Sequence, residues 1–435
     1  MTSLIKPILH RHNMDPGVSE SCPTYHPYGN DPPRSNPASS PSTDPDLECP
    51  GRKQTIYSSG WRRVVINFTP SWFSVTMGTG IVSILLHNLP YNAVWLYWIS
   101  VGLFGLNVAI FALFSVISIL RYLLFPGIWI AMLNHSVQSL FLGTIPMGLA
   151  TIINMIIFVI VPAWGDWAVI LAWALWWVDV VLAIATNFYL PFVIMYKHES
   201  RLSTMTAAWL LPIVATIVSA ASGAIVASVL PNKEHAIWTI TICYILWGCG
   251  VPLAMFTMVI YFQRLTIYKL PPREVIVSVF LPIGPLGQGA FGIMQLGKDA
   301  LAIFGDKEYI PAAPMAGQIL YTAGILIALI MWGFGLVWLF FAVASISQSR
   351  FPFNLGWWGF TFPLGVYSVA TITLAKELPS LFFKVLGTVL SLIVVVLWIA
   401  VSANTLRYTF SGRLLQAPCI PEWEANNEKA NSLST

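Results

Sequence analysis

Residues 354–375 read NLGWWGFTFPLGVYSVATITLA. The stretch is apolar enough to cross a bilayer, yet it is unlike an ordinary spanning helix. Pro363 stands near its middle, Gly365 follows two residues on, and Phe360 and Phe362 precede the proline. Thr361, Ser368, Thr371 and Thr373 add hydroxyls. A proline removes one backbone donor and clashes with the carbonyl four residues earlier. In hydrocarbon the freed carbonyl is costly unless protein or a water-filled cavity satisfies it. A kinked, hydroxyl-bearing helix of this kind belongs inside a bundle, beside a path. Its kink is where a gate is expected.

The same pattern recurs along the chain. FTPSWFSVTMGTG (68–80), FLGTIPMGLAT (141–151), WLLPIVATIVSAASG (209–223) and FLPIGPLGQGAFG (280–292) also join proline to clustered small residues. Pro70, Pro146, Pro212, Pro282 and Pro363 follow one another at intervals of 76, 66, 70 and 81 residues. Between these stretches lie bulkier runs of Leu, Ile, Val and Trp. Ten spans result, over 69–89, 93–120, 134–161, 166–195, 206–229, 236–262, 275–297, 313–346, 355–375 and 381–409. Short joins make neighbouring spans antiparallel hairpins. The expected fold is therefore an all-α integral membrane protein of ten transmembrane helices, built as five parallel-repeat hairpins. Five inner odd helices line a central pore, because small residues let helices approach closely. Five outer even helices face lipid or another subunit.

Composition agrees with a polytopic membrane protein. Of 435 residues, 57% are hydrophobic and 9% charged, where a soluble globular protein carries about 25% charged residues. The net charge of +4 is spread between apolar runs, which is no nucleic-acid signature. Five irregularly spaced cysteines imply neither a disulfide framework nor a zinc site. Residues 1–60 form a polar Pro- and Ser-rich tail expected to be disordered. Residues 61–410 form the transporter domain, and 411–435 a second tail. Lys and Arg divide seventeen to five between the two sides, with the larger share on the side of the tails. Both termini are thus expected in the cytoplasm.

Candidate site residues follow from the pore reading. Thr76, Thr79, Ser83, Gln138, Thr144, Ser219, Gln288 and Ser368 are the polar side chains of the inner spans expected to line the path. Asp179 is the clear intramembrane carboxylate. It is read as a hydrogen-bonded strut in an outer helix, with a proton relay as the other role. His135 and Gln138 either line a vestibule or cap a helix, and His87 is read as interfacial. Gly287 to Gly292 matches GxGxxG and Gly292 to Lys298 matches GxxxxGK, but neither follows a strand in a βαβ unit, so close helix packing is the reading. No nucleophile–base pair or metal-spaced cluster stands out. A membrane enzyme using Asp179 with His135 or His87 would need such a constellation. The inner walls offer hydroxyls and amides and almost no carboxylates, where a cation pathway would show Asp or Glu rings. A small anion is the expected cargo. With an inside-negative potential, its expulsion gains about 2.3 kcal/mol per charge per 100 mV.

At these residues a family becomes recognisable. The five-hairpin alternation, and GWWGFTFPLGVYSVAT above all, resembles the tellurite-resistance/dicarboxylate transporter family, which includes the plant slow anion channels. Residues 61–92, WRRVVINFTPSWFSVTMGTGIVSILLHNLPYN, resemble its fungal sulfite efflux branch. The resemblance spans about 55–410. It implies a ten-helix fold, export of sulfite or bisulfite across the plasma membrane, no cofactor, and a homotrimer with one pore per subunit. It also implies an aromatic gate in the ninth span, at Phe362; by the residues alone, Phe360 or Phe291 is the other candidate to face the path. A malate or other dicarboxylate permease of the same family is the alternative. It would place cations in its path, and the inner spans show none obvious.

Overall fold

The computed structural model describes residues 60–198, 200–304, 313–348, 350–421 and 423–424. The expected N-terminal tail, with Cys22 and Cys49, lies outside the described residues, as does the end of the C-terminal tail. The described chain is helical: α1 (Trp61–Ile66), α2 (Phe73–Asn88), α3 (Val94–Leu124), α4 (Ile128–Asn134), α5 (Thr144–Met155), α6 (Val161–Trp164), α7 (Asp166–Tyr196), α8 (Leu210–Ala227), α9 (Lys233–Tyr268), α10 (Ile283–Phe304), α11 (Ala316–Ser347), α12 (Thr361–Glu377) and α13 (Leu381–Phe410). Among the described residues nine helical segments are long and apolar enough to cross a membrane. The 16-residue α2 is shorter, and the 3₁₀ turn Pro70–Trp72 leads into it.

Burial divides the helices into two sets. In its most apolar stretch Ala207–Ala227 is 100% buried, against 11% for Val94–Leu124. Helices α2, α5, α8, α10 and α12 are buried nearly throughout. They pack in a closed cycle: α2 on α5, α5 on α8, α8 on α10, α10 on α12, and α12 back on α2. Each of α3, α7, α9, α11 and α13 packs on the inner helix before it and the inner helix after it, with α13 returning to α2. The outer set leaves large apolar side chains such as Leu123, Val181, Phe256, Phe340 and Val396 exposed. A helix with such a face needs lipid or another apolar surface against it.

Small residues set the spacing of the inner cycle. A Cβ on Gly287 would come within 2.6 Å of the Tyr367 backbone nitrogen on α12. On the other side of α10, a Cβ on Gly292 would lie 3.2 Å from Ala221 on α8. The GxGxxG pattern is thus a packing pattern. Its glycines let α10 approach both neighbours in the cycle.

The prolines correct the sequence reading. Pro146, Pro212 and Pro363 are each the third residue of their helix, Pro70 opens its 3₁₀ turn, and Pro282 lies in the turn just before α10, whose third residue is Pro285. They start the inner helices and do not kink them in mid-membrane. The first-turn N–H groups have no intrahelical partner, so proline costs nothing there. A 3₁₀ turn precedes each inner helix: Pro70–Trp72, Ser139–Gly143, Ala207–Trp209, Arg273–Phe280 and Leu355–Gly359. These five turns also contact one another in a closed cycle. All five inner N-termini therefore lie on one face, here the near face, and their C-terminal ends on the far face. Beyond α13 the chain folds back. Ala417 N donates to Asn67 Oδ1 at 2.9 Å, and Trp423 Nε1 to the Pro126 carbonyl at 3.0 Å.

Candidate functional site

The closed inner cycle encloses space at both ends. On the far face a cavity of about 410 Å³ is walled by Ile81, Ile84, Thr151, Asn154, Val218, Gln288, Phe291, Phe362 and Val366. Its mouth carries His87, Asn88, Ser228, Lys298, Lys376 and Glu377. On the near face a pocket of about 270 Å³ is bounded by Ser74, Met77, Leu211, Glu274, Ser278, Leu281 and Asn354, among others. Between the two, Met77, Met147, Leu211, Val214, Leu281, Phe362 and Pro363 leave about 10 Å³. Met77, Leu211 and Leu281 border both this constriction and the near pocket, whereas Phe362 borders both the constriction and the far cavity.

Phe362 thus lies between the constriction and the far cavity, 3% exposed. Its position follows from the chain: the 3₁₀ turn Leu355–Gly359 delivers Phe360, and α12 begins one residue later. Phe360 points elsewhere. Its ring lies edge-on to Phe280 at 4.9 Å, with Trp357 at 5.7 Å, and it borders neither the constriction nor the cavity.

Of the eight expected lining residues, only Gln288 is on the cavity wall. The other seven do not line it. Ser83 and Ser100 each donate to the other's carbonyl, at 2.9 and 3.0 Å, and so join α2 to α3. Thr79 Oγ1 accepts from Trp398 Nε1 on α13 at 3.1 Å. Thr76 Oγ1 donates to the Phe73 carbonyl at 2.7 Å and Ser368 Oγ to the Leu364 carbonyl at 2.8 Å, both within their own helices. Thr144 Oγ1 donates to the carbonyls of Phe141 (2.7 Å) and Pro70 (3.3 Å), joining two near-face turns. Gln138 lies just before the turn Ser139–Gly143, away from the cavity, with its Oε1 buried and unpartnered. His135 Nδ1 accepts from the backbone of Val137 and Gln138, the geometry of a cap.

Ser219 Oγ donates to Asp179 Oδ2 across the α7–α8 contact. Trp176 Nε1 bonds the Ser219 carbonyl at 2.9 Å, and Asn187 Nδ2 bonds Thr216 Oγ1 at 3.1 Å. Asp179 is fully buried there, with Oδ1 unpartnered. Asp179, His87 and His135 lie at three separate places, as the enzyme alternative would not have it. Among the described residues no group of three or more His, Cys, Asp or Glu is placed to hold a metal.

Two expectations are overturned. His87 is not merely interfacial: it lines the far cavity, its ring stacked on Phe158 at 5.3 Å. Cations do stand in the path: Lys298 and Lys376 line the same cavity. Both ended helices in the sequence and were counted with the far-side loops. Nothing in the apolar pattern showed that α10 and α12 turn these ends inward. Lys298 Nζ lies 3.0 Å from Glu377 Oε1, and Tyr321 OH donates to Glu377 Oε2 at 2.7 Å.

This architecture has relatives. Residues 67–406 match the family described as voltage-dependent anion channel (SLAC1). The sulfite efflux pump SSU1 of Arthroderma otae is 57% identical over 341 residues, covering 78% of this chain and 90% of that protein. The sulfite efflux pump SSU1 of Trichophyton rubrum matches to the same extent. The malic acid transport protein of Schizosaccharomyces pombe is 25% identical over 342 residues, covering 77% of this chain and 76% of its own length. A family match that runs from before α2 to within four residues of the end of α13 decides membership: the chain belongs to the voltage-dependent anion channel (SLAC1) family.

Proposed function

We propose that this protein exports sulfite across the plasma membrane, along the axis of a ten-helix, five-hairpin bundle. The observation that carries the reading is the axial sequence of near pocket, narrow apolar constriction and far cavity, with Phe362 between the last two. Names of relatives at 57% identity over 90% of their length support sulfite as cargo. In this reading Phe362 closes the path by sterics and by dewetting an apolar neck. The five inner N-termini, the positive ends of their helix dipoles, surround the near pocket and favour an anion there. Both termini are cytoplasmic, so the near face is the inner one and the membrane potential drives anions outward. The exposed apolar faces of the outer helices meet lipid or further copies in a homo-oligomer, a trimer by the family resemblance.

Lys298 and Lys376 favour a second reading. A dicarboxylate also needs cations, and a cavity of about 410 Å³ has room for malate. The apolar neck favours the smaller anion. Flux into proteoliposomes, compared for sulfite, malate and chloride under an imposed potential, tests both. Sulfite flux exceeding malate flux is expected. Malate flux equal or greater would make the protein a dicarboxylate permease, and no anion flux would refute transport. Cysteines introduced at Asn232 and Ser203 check sidedness: labelling from outside intact cells is expected at Asn232 alone, and labelling at Ser203 would reverse the topology.

A further inference from the structure

The far cavity carries more positive charge than its ion pairing uses. Two lysines, Lys298 and Lys376, line one mouth with a single carboxylate, Glu377. Both Glu377 oxygens are already engaged, one by Lys298 at 3.0 Å and the other by the Tyr321 hydroxyl at 2.7 Å. Lys376 has no hydrogen-bond or ion-pair partner among the described residues. His87 and Asn154 line the same cavity; His87 Nδ1 is buried without a partner, and Asn154 offers its side-chain NH2 as a donor, its buried Oδ1 being an acceptor and unsuited to that role. Asn154 is 6% exposed. A lysine in the last turn of α12 also complements the helix dipole. That role requires neither a second lysine at the same mouth nor a cavity lined by unpartnered polar atoms.

We propose that this mouth is a binding site for a doubly charged oxyanion, held by Lys376 with Lys298 and by N–H donors of His87 and Asn154. The inference rests on the far face being the exit of the transport path, and it deepens that reading. An anion that has passed Phe362 leaves an apolar wall and meets two ammonium groups. The site therefore keeps the exported dianion briefly at the mouth, and the same site accepts a dianion arriving from outside. External sulfate, which has the same charge as sulfite and one more oxygen, competes for it and slows efflux. Glu377 sets the strength of the site because it neutralises one of the two lysines.

The test uses the purified full-length protein, titrated with sodium sulfate and with sodium chloride at matched ionic strength, and reads the melting temperature. Sulfate stabilises proteins generally by exclusion from their surface. The quantity read is therefore the difference between the wild type and variants. Lys376→Gln is expected to weaken the half-saturating sulfate concentration about fivefold, the size of a partly exposed charge contact. Glu377→Gln frees Lys298 and is expected to tighten it by a similar factor. A folding defect would move both variants the same way, whereas the site moves them in opposite directions. In proteoliposomes, sulfate on the far side is expected to slow sulfite efflux through the wild type more than through Lys376→Gln. Equal effects of chloride and sulfate, or shifts of one sign in both variants, would overturn the site. Sulfate binding with the opposed shifts but without sulfite flux through any form would leave the site standing and remove the transport reading.

Discussion

Along α2, Thr79 and Ser83 face the outer helices, where they bond Trp398 and Ser100, while Ile81 and Ile84 face the cavity. The same holds on α8, where Thr216 and Ser219 bond Asn187 and Asp179 and Val218 faces the cavity. On α12, Thr371 accepts from Trp332 Nε1 at 2.9 Å, while Phe362 and Val366 face the axis. The polar side of each of these helices is its seam with the outer ring. Its apolar side is the wall of the path. A hydroxyl buried between helices in a membrane has no water to turn to, so the seam must pair it. The wall has the opposite requirement. An apolar neck holds water poorly, which is what the gate proposed at Phe362 requires.

Substitutions on the two sides should separate conductance from stability. The largest effect is expected at the wall. Phe362→Ala should raise anion conductance about tenfold or more, the factor that about 1.4 kcal/mol off a barrier gives. Phe360→Ala should not, because its ring packs on Phe280 and Trp357. Planar-bilayer recordings of both variants check this, and a conducting Phe360→Ala beside a silent Phe362→Ala would exchange their roles.

The inner cycle itself should break at its tightest contact. Gly287→Val forces side-chain atoms onto the Tyr367 backbone, where a Cβ already falls at 2.6 Å. Overpacking of this kind costs about 1–3 kcal/mol or more. The yield of monodisperse protein and its melting temperature should both fall, and an unchanged melting temperature would mean that α10 and α12 do not need this approach.

On the seam, Asp179→Ala should cost about 1–3 kcal/mol, because Ser219 loses its acceptor in a buried site. Asp179→Asn should keep both fold and transport, since an amide oxygen still accepts. Loss of the pH dependence of transport in a well-folded Asp179→Asn would instead make Asp179 a proton relay. The smallest effect is expected for Thr79→Val. It leaves Trp398 Nε1 unpaired at a cost of about 1 kcal/mol, and sulfite flux per folded molecule should stay unchanged. Gln288→Leu should do the reverse, altering flux with little change in melting temperature, because Gln288 stands on the wall.

Much of this molecule was legible in its residue order. The apolar runs determined a helical membrane protein, since a span needs length and apolarity and little else. The alternation of small, proline-bearing runs with bulky ones anticipated which helices are buried, because close helix approach tolerates only small side chains. Phe362, singled out by its place before Pro363 in the ninth span, lies between the constriction and the far cavity. Other features depended on the fold. Seven of the eight polar candidates lie off the cavity wall, five at seams or turns and Thr76 and Ser368 bonding within their own helices, because periodicity shows that two residues share a helix face and not which neighbour that face meets. Likewise, the same proline serves as a kink or as a helix start according to where the preceding 3₁₀ turn ends. The cationic mouth was hidden for a similar reason. Lys298 and Lys376 are 78 residues apart in the chain. Only the packing of α10 on α12 turns both helix ends toward one cavity.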